Sequence, residues 1–170
     1  MPEVLDISSL PTKILLPIDF SSSSKAALSM AADLALHFRA ELYLVNAIPV
    51  FPVTTFPDFI PEESFLKEAR QHSEQLLTKC LVALTGKGIK ATTSVEVGND
   101  VVGIIMTVVD REHIDLVVIS THGISGWHPL IFGSIAEKVV KLVQCPLLLL
   151  RSAKPDQKLI VPSSHTTEWW

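Results

Sequence analysis

The ends of two predicted strands carry the residues whose types and spacing suit ligand binding. The first apolar run ends at Asp19, and a later run ends at Ser120, after which Gly123 and the pair Gly133-Ser134 follow. Glycines let a backbone approach a ligand closely, and a helix that begins at Ser134 offers unpaired N–H groups and the positive end of its dipole. These features favour an anion site, suited to a phosphate, at Gly133 and Ser134. The same Gly-Ser pair is also typical of an ordinary helix cap.

Two titratable residues near these strand ends each allow more than one interpretation. Asp19 is a candidate ligand for a magnesium ion on the phosphates and a candidate cap for the helix that follows it, and both roles can hold at once. His122 would need a partner to act as a general base, and no carboxylate or nucleophile motif stands beside it. Segment 123–126 is not a nucleophile elbow, and the sequence contains no Walker A, G-x-G-x-x-G or H-E-x-x-H pattern. We therefore expect a binding protein with no catalytic residues.

Alternating apolar runs and helical patterns predict the elements that must position these residues. The runs that predict strands are 13–18, 41–48, 89–97, 115–119 and 147–150. Helical periodicity follows the serines at 21–24, spans 62–84, follows Asn99 or Asp100, and begins again at Gly133. The 62–84 helix is expected to have one shared face, formed by Phe65, Ala69, His72, Leu76, Cys80 and Ala83.

This order of strands and helices predicts the fold class. Helices between successive strands require crossover connections, which are right-handed and produce parallel strands. We expect an α/β fold with an open, doubly wound, five-stranded and mostly parallel sheet, Rossmann-like, with helices on both faces. In such sheets ligands bind at the carboxyl ends of the strands, where neighbouring crossovers diverge, and the two strand ends above are the candidates.

Composition and charge exclude several classes of function and partner. The 170 residues carry a formal net charge of −4 and no block of Lys or Arg, so no nucleic-acid partner is expected. No apolar run reaches the roughly 20 residues of a membrane span, and no signal-peptide pattern is present, so we expect a cytoplasmic protein without a membrane partner. Cys80 and Cys145 form no C-x-x-C pair, which argues against a zinc or dithiol site.

One domain is expected over residues 13–151, with an N-terminal arm over 1–12 and a loose C-terminal tail over 152–170. Within it, the pattern Ser120-x2-Gly123-x9-Gly133-Ser134 resembles the ATP-binding signature of the universal stress protein family. The segments 14–21, 115–123, 133–140 and 145–151 also resemble that family, and the similarity covers about residues 12 to 151. Several separated motifs in the correct order make the resemblance specific.

The resemblance implies a function, a sheet order and a set of binding residues. It implies an ATP-binding stress-response regulator and a sheet in the order 3-2-1-4-5, which places strands one and four side by side. Pro17, Asp19 and Ala47 match positions that hold the adenine and ribose, and the loop at 120–126 matches the one that wraps the ribose and phosphates. The residues assigned to the nucleotide are Pro17, Asp19, Ala47, Ile119, Ser120, His122, Gly123, Gly126, Gly133, Ser134, Ile135 and Ala136.

The phosphates are expected at the start of the fourth helix. We expect the backbone N–H groups of Gly133, Ser134 and Ile135 to receive them, with the Ser134 hydroxyl as a further donor and with any positive φ at Gly133 favouring glycine. A magnesium ion on the phosphates would be held by Asp19. Two positions depart from the family pattern: Ser120 replaces the first signature glycine, and Ile124 stands where the family often has a basic residue.

Strand five predicts the mode of assembly. Its apolar residues 147–150 can occupy a sheet edge, which is a template for pairing, and the family also pairs through this strand. We therefore expect a homodimer through strand five. Two alternative functions remain open: a nucleotide-free dimeric interaction module of the same family, and a slow ATP hydrolase.

Overall fold

Strands and helices alternate throughout the described part of the chain. A computed structural model describes residues 10–50, 63–121 and 133–151. The strands are β1 (Lys13–Pro17), β2 (Glu41–Pro49), β3 (Ala91–Gly98), β4 (Leu116–Ser120) and β5 (Leu147–Leu150). The helices are α1 (Ser22–Phe38), α2 (Glu63–Gly86), α3 (Val101–Glu112) and α4 (Ser134–Leu142).

The five strands form one open sheet in the order β3-β2-β1-β4-β5, and every neighbouring pair is parallel. This confirms the predicted fold class and the sheet order that the resemblance implied. The chain passes from β1 to β2 and β3 on one side, and from β4 to β5 on the other. The crossovers therefore diverge between β1 and β4, which is the position where open parallel sheets bind ligands.

The core has one apolar layer on each face of the sheet. Alternate residues of a strand point to opposite faces, so Ile14 and Leu16 of β1 pack towards α1 and α2, whereas Leu15 packs towards α3 and α4. All four residues Leu116 to Ile119 of β4 are buried, as expected for a strand covered on both faces. Helices thus cover both faces, and the carboxyl ends of the central strands are left between them.

Two helix starts have side-chain caps. Ser21 caps α1, since its Oγ accepts a hydrogen bond from the Ser24 N–H at 3.2 Å. Asp100 caps α3, since its Oδ1 accepts from the Val102 N–H at 3.1 Å. Asp100, rather than Asn99, is therefore the cap of the third helix.

The face that α2 buries is rotated from the expected one, of which Ala69, Leu76 and Cys80 are half-buried. Ser73, Leu77 and Leu84 are buried, whereas His72 and Ala83 are exposed and Phe65 is 58% exposed. The helix carries neighbouring apolar rows about one residue apart, and the sheet takes the row of Leu77 and Leu84. Periodicity alone does not choose between two such rows, because both recur at helical spacing.

The two thiols are separated by the sheet. Cys80 packs against the layer of α1 and α2, and Cys145 packs against the layer of α3 and α4. Both are half-buried, and this burial raises the pKa of each thiol. Within the described residues, no helix is both long and apolar enough to cross a membrane.

Candidate functional site

A cavity of about 560 Å³ opens at the carboxyl ends of β1, β2 and β4. Its volume lies in the ordinary range of small-molecule sites. The sequence-predicted site residues that line it are Pro17, Asp19, Ala47, Ile119, Ser120, Gly133, Ser134, Ile135 and Ala136. The structure therefore brings together nine of the twelve, from three strands and one helix. His122, Gly123 and Gly126 lie outside the described residues, as does Ile124.

Sequence reasoning missed several residues of the same cavity. The additional lining residues are Ile18, Ser24, Val45, Pro49, Val101 and Ile105, whereas Thr121 belongs to the predicted loop at 120–126. Val45 lies two residues before Ala47 on the same side of β2, and Val101 and Ile105 lie one turn apart on α3. Their spacing could have revealed them once the strand order was known. They form an apolar wall, suited to the faces of a planar ring.

Asp19 supports the start of α1 without being its cap. Its Oδ1 accepts hydrogen bonds from the Ser21 N–H at 3.0 Å and from the Ser21 hydroxyl at 2.6 Å. The expectation that Asp19 itself caps the helix is wrong, because Ser21 holds that position. Phe20, between them, has φ 61°, a left-handed conformation that costs energy for a residue with a Cβ. The turn thus directs the Asp19 side chain to the rim of the cavity.

Asn46 fixes the position of the β1 end from the opposite face of the sheet. Its buried amide Nδ2 donates to the Ile18 carbonyl at 2.7 Å, and the Ile18 N–H donates to the Val45 carbonyl at 2.9 Å. Both bonds join the end of β1 to β2. The segment Pro17–Asp19 is therefore held rigidly beside the cavity. An Asn that follows a run of buried strand residues is the sequence signal for this role.

The start of α4 differs from the expectation in two respects. The Gly133 N–H donates to the Thr121 carbonyl at 2.7 Å, so it is not available to a phosphate. Gly133 has φ −57°, a conformation open to any residue, so no left-handed backbone requires glycine there. No described side chain caps this helix. The donors left at this end are the N–H groups of Ser134, Ile135 and Ala136 and the Ser134 hydroxyl.

The charge of the cavity comes from one side chain among the described lining residues. Asp19 is the only Asp, Glu, Lys, Arg or His among them, and the other polar side chains are the hydroxyls of Ser24, Ser120, Thr121 and Ser134. Within the described ranges, no group of three or more His, Cys, Asp or Glu side chains could hold a metal ion. A single carboxylate suits a magnesium ion that arrives on phosphates and keeps most of its water.

A second cavity, of about 300 Å³, lies between β3 and α3. Arg111 lines it but forms ion pairs with Glu96 at 3.1 Å and Glu112 at 2.8 Å. These carboxylates neutralise the charge that could attract an anion. The larger cavity at the strand ends is therefore the better candidate.

The sequence is similar to a known protein family and to its individual members. The sequence model described as "Universal stress protein family" matches residues 11–151. Universal stress protein MJ0531 of Methanocaldococcus jannaschii is 28% identical over 147 residues, which cover 85% of this chain and 84% of that protein.

Two solved structures have the same fold. Hypothetical protein MJ0577 superposes with a TM-score of 0.76 at 21% identity, covering 86% of this chain and all of that one. A universal stress protein family protein of Arabidopsis thaliana, with AMP bound, superposes with a TM-score of 0.60 at 17% identity, covering 85% of this chain and 94% of that one. At these identities the likeness establishes the fold.

Proposed function

Since the chain belongs to the universal stress protein family, we propose that it binds an adenine nucleotide, ATP in its magnesium form, and acts as a stress-response regulator through binding. Nine residues that the family resemblance assigns to the nucleotide line one cavity, and this convergence carries the proposal. The AMP bound to the related Arabidopsis protein supports the same ligand class.

Each wall of the cavity suits one part of the ligand. Val45, Ala47 and Ile105 provide apolar surface for the adenine ring. Asp19 provides carboxylate oxygens for ribose hydroxyls or for a magnesium ion on the phosphates. The N–H groups of Ser134 and Ile135 lie at the start of α4, where a helix dipole attracts a phosphate.

We propose that binding, not turnover, is the activity. Hydrolysis needs a group that positions water and a charge that stabilises the transferring phosphoryl group. Among the described lining residues, Asp19 is the one ionisable side chain, and it brings no positive charge. We therefore expect phosphate release slower than roughly 1 s⁻¹, the low end of typical enzyme kcat values. A faster steady-state rate that survives repurification would contradict this and favour the slow hydrolase.

A bulky substitution that fills the cavity tests whether the nucleotide binds there. Ala47→Phe places a ring against Val45 and Ile105, and we expect it to abolish nucleotide binding in calorimetric titrations with ATP and AMP. Ala26→Phe, on the exposed side of α1, is the matched control and should bind as the wild type does. Mass spectrometry of ligand released from the purified protein identifies the native nucleotide. Equal affinity in both variants would place the nucleotide elsewhere.

We further propose a homodimer through β5. This strand is an edge of the sheet, and its four leucines are only half-buried in the single chain. Such an apolar edge pairs readily with a second copy. Leu148→Lys should give monomer or aggregate, and a stable wild-type monomer in light scattering at micromolar concentration would exclude the dimer. A dimer that binds no nucleotide would favour the interaction module instead.

A further inference from the structure

Arg151 lies at the end of the sheet that carries the cavity. It directly follows β5, which pairs in parallel with β4 so that Leu150 is opposite Ser120, a residue of the cavity wall. Neighbouring strands are about 4.8 Å apart, so Arg151 begins one strand beyond that wall. Arg151 is not itself among the lining residues, but its positive charge lies at the same end of the sheet as the proposed nucleotide.

A row of backbone hydrogen bonds connects Arg151 to the start of α4. The Thr121 N–H donates to the Leu150 carbonyl at 2.8 Å, and the Gly133 N–H donates to the Thr121 carbonyl at 2.7 Å. The Leu150 carbonyl belongs to the same peptide group as the Arg151 N–H. Two hydrogen-bonded spacings, roughly 10 Å in all, therefore separate the backbone of Arg151 from the helix start that offers donors to a phosphate.

The alternation of β5 places the Arg151 side chain on the same face of the sheet as α4. Leu148 and Leu150 pack against the layer of α1 and α2, whereas Leu147 and Leu149 pack against the layer of α3 and α4. Arg151 is the next position of the second set, so the same alternation directs its side chain towards α4. The long Arg side chain can span the distance that remains to the start of this helix.

The guanidinium of Arg151 is accessible to a ligand. The residue is exposed, and no ion pair or side-chain hydrogen bond joins it to another residue in the described ranges. Glu137, in the first turn of α4, pairs with Lys141 at 2.7 Å instead. By contrast, Arg111 beside the second cavity is held by two carboxylates. None of the described carboxylates therefore neutralises the charge of Arg151.

From this position, orientation and accessible charge we infer that Arg151 binds the terminal phosphates of the nucleotide and makes the site prefer ATP to AMP. The inference rests on the proposed function and specifies which adenine nucleotides the site distinguishes. A guanidinium can donate two parallel hydrogen bonds to phosphate oxygens. The α-phosphate is attached to the ribose, whereas the β- and γ-phosphates extend away from it and can reach a cation that lies one strand beyond the cavity wall.

The affinity for ATP relative to that for adenosine tests this inference. In calorimetric titrations, Arg151→Gln should weaken ATP binding about tenfold and AMP binding no more than about threefold, and adenosine affinity should stay within about twofold. Arg39→Gln makes the same charge change at an exposed residue at the opposite end of the sheet, and it should leave all three affinities unchanged. Raising the salt from about 20 mM to about 300 mM should weaken ATP binding more in the wild type than in Arg151→Gln, because salt screens an exposed charge.

Arg151→Lys separates the charge of the side chain from its planar shape. Lys keeps the charge but loses the two parallel hydrogen bonds, so we expect an ATP affinity between those of the wild type and Arg151→Gln. Equal weakening of ATP and adenosine in Arg151→Gln would indicate a structural role at the sheet edge and overturn the inference. Equal ATP affinity in the wild type and Arg151→Gln would also overturn it but leave the proposed function intact. Failure of adenosine, AMP and ATP to bind the wild type would overturn both.

Discussion

The two ends of the parallel sheet use polar residues in opposite ways. At the amino ends, Asp115 accepts hydrogen bonds from the Thr12 N–H, the Thr12 hydroxyl and the Lys13 N–H at 2.7 to 2.9 Å. The Lys13 ammonium donates to the Glu112 carbonyl, and Glu41 pairs with Lys90 at 2.8 Å. Charged groups at this end mostly satisfy one another across neighbouring elements.

At the carboxyl ends the polar groups surround a cavity instead. Asp19 and several hydroxyls face a space of about 560 Å³, and the adjacent Phe20 is held in a left-handed conformation. A parallel sheet produces this difference, because every crossover helix ends near the amino ends and begins near the carboxyl ends. The amino ends can be closed for stability, whereas at the other end the start of α4, unlike the capped starts of α1 and α3, keeps backbone donors for a ligand. Substitutions at the two ends should therefore separate stability from binding.

Removal of the Asp115 carboxylate should give the largest effect. Asp115→Ala deletes the acceptor of three hydrogen bonds, and we expect the free energy of unfolding to fall by about 3 kcal/mol, measured by urea denaturation. Nucleotide affinity should not change, because Asp115 lies at the amino end. Asp33→Ala, on the exposed side of α1, should change stability by no more than about 0.5 kcal/mol. A folded Asp115→Ala protein that loses nucleotide affinity would break the comparison.

Asn46 contributes both to stability and to the shape of the binding site, and its removal should affect both. Asn46→Ala leaves the Ile18 carbonyl without its buried donor, which should lower the free energy of unfolding by about 2 kcal/mol. It also loosens the segment that carries Asp19, so we expect ATP affinity to fall roughly threefold to tenfold. Asn99→Ala, an exposed Asn outside this cavity, is the matched control for both measurements. Lost stability with unchanged affinity would restrict Asn46 to a structural role.

The fold was predictable because its signals are local and repeated. The apolar run 115–119 predicts β4, and the serines at 21–24 predict the start of α1. The buried face of α2 was not predictable, because two apolar rows compete and only contact with the sheet selects Leu77 and Leu84. Local pattern gives the element, and long-range packing gives its rotation.

Some residues of the candidate site were predictable from a local motif, and others were not. Gly133 and Ser134 follow from a motif, so their place at the cavity was predictable. The hydrogen bond from the Gly133 N–H to Thr121 was not, because it joins two ends of a segment whose path the sequence does not define. The position of Val101 and Ile105 in the cavity wall depends on how α3 packs against β2, which no local pattern specifies. Side chains contributed by other elements become visible only with the tertiary structure.

The smallest expected effect is the pH dependence that Glu41, at the amino ends of the strands, gives to the free energy of unfolding. Burial opposes ionisation of Glu41, but hydrogen bonds from Lys90 and Thr92 outweigh it and lower the pKa of this carboxyl. A lowered pKa in the folded state stabilises the protein above the unfolded pKa, and that contribution is lost as the pH falls through the folded value. Because Lys90 is 79% exposed, we expect only a few tenths of a kcal/mol.

Glu41→Gln removes this dependence while keeping an oxygen that can accept from Thr92. Urea denaturation of both proteins at pH 7 and at about pH 3 should show the wild type losing slightly more stability than the variant, and the difference should shrink in high salt. The exposed pair of Glu137 and Lys141 on α4 provides the contrast, since Glu137→Gln alters charge beside the cavity end. A Glu41→Gln change that alters ATP affinity more than Glu137→Gln does would mean that the two ends of the sheet are coupled, because only the second charge lies near the proposed phosphates.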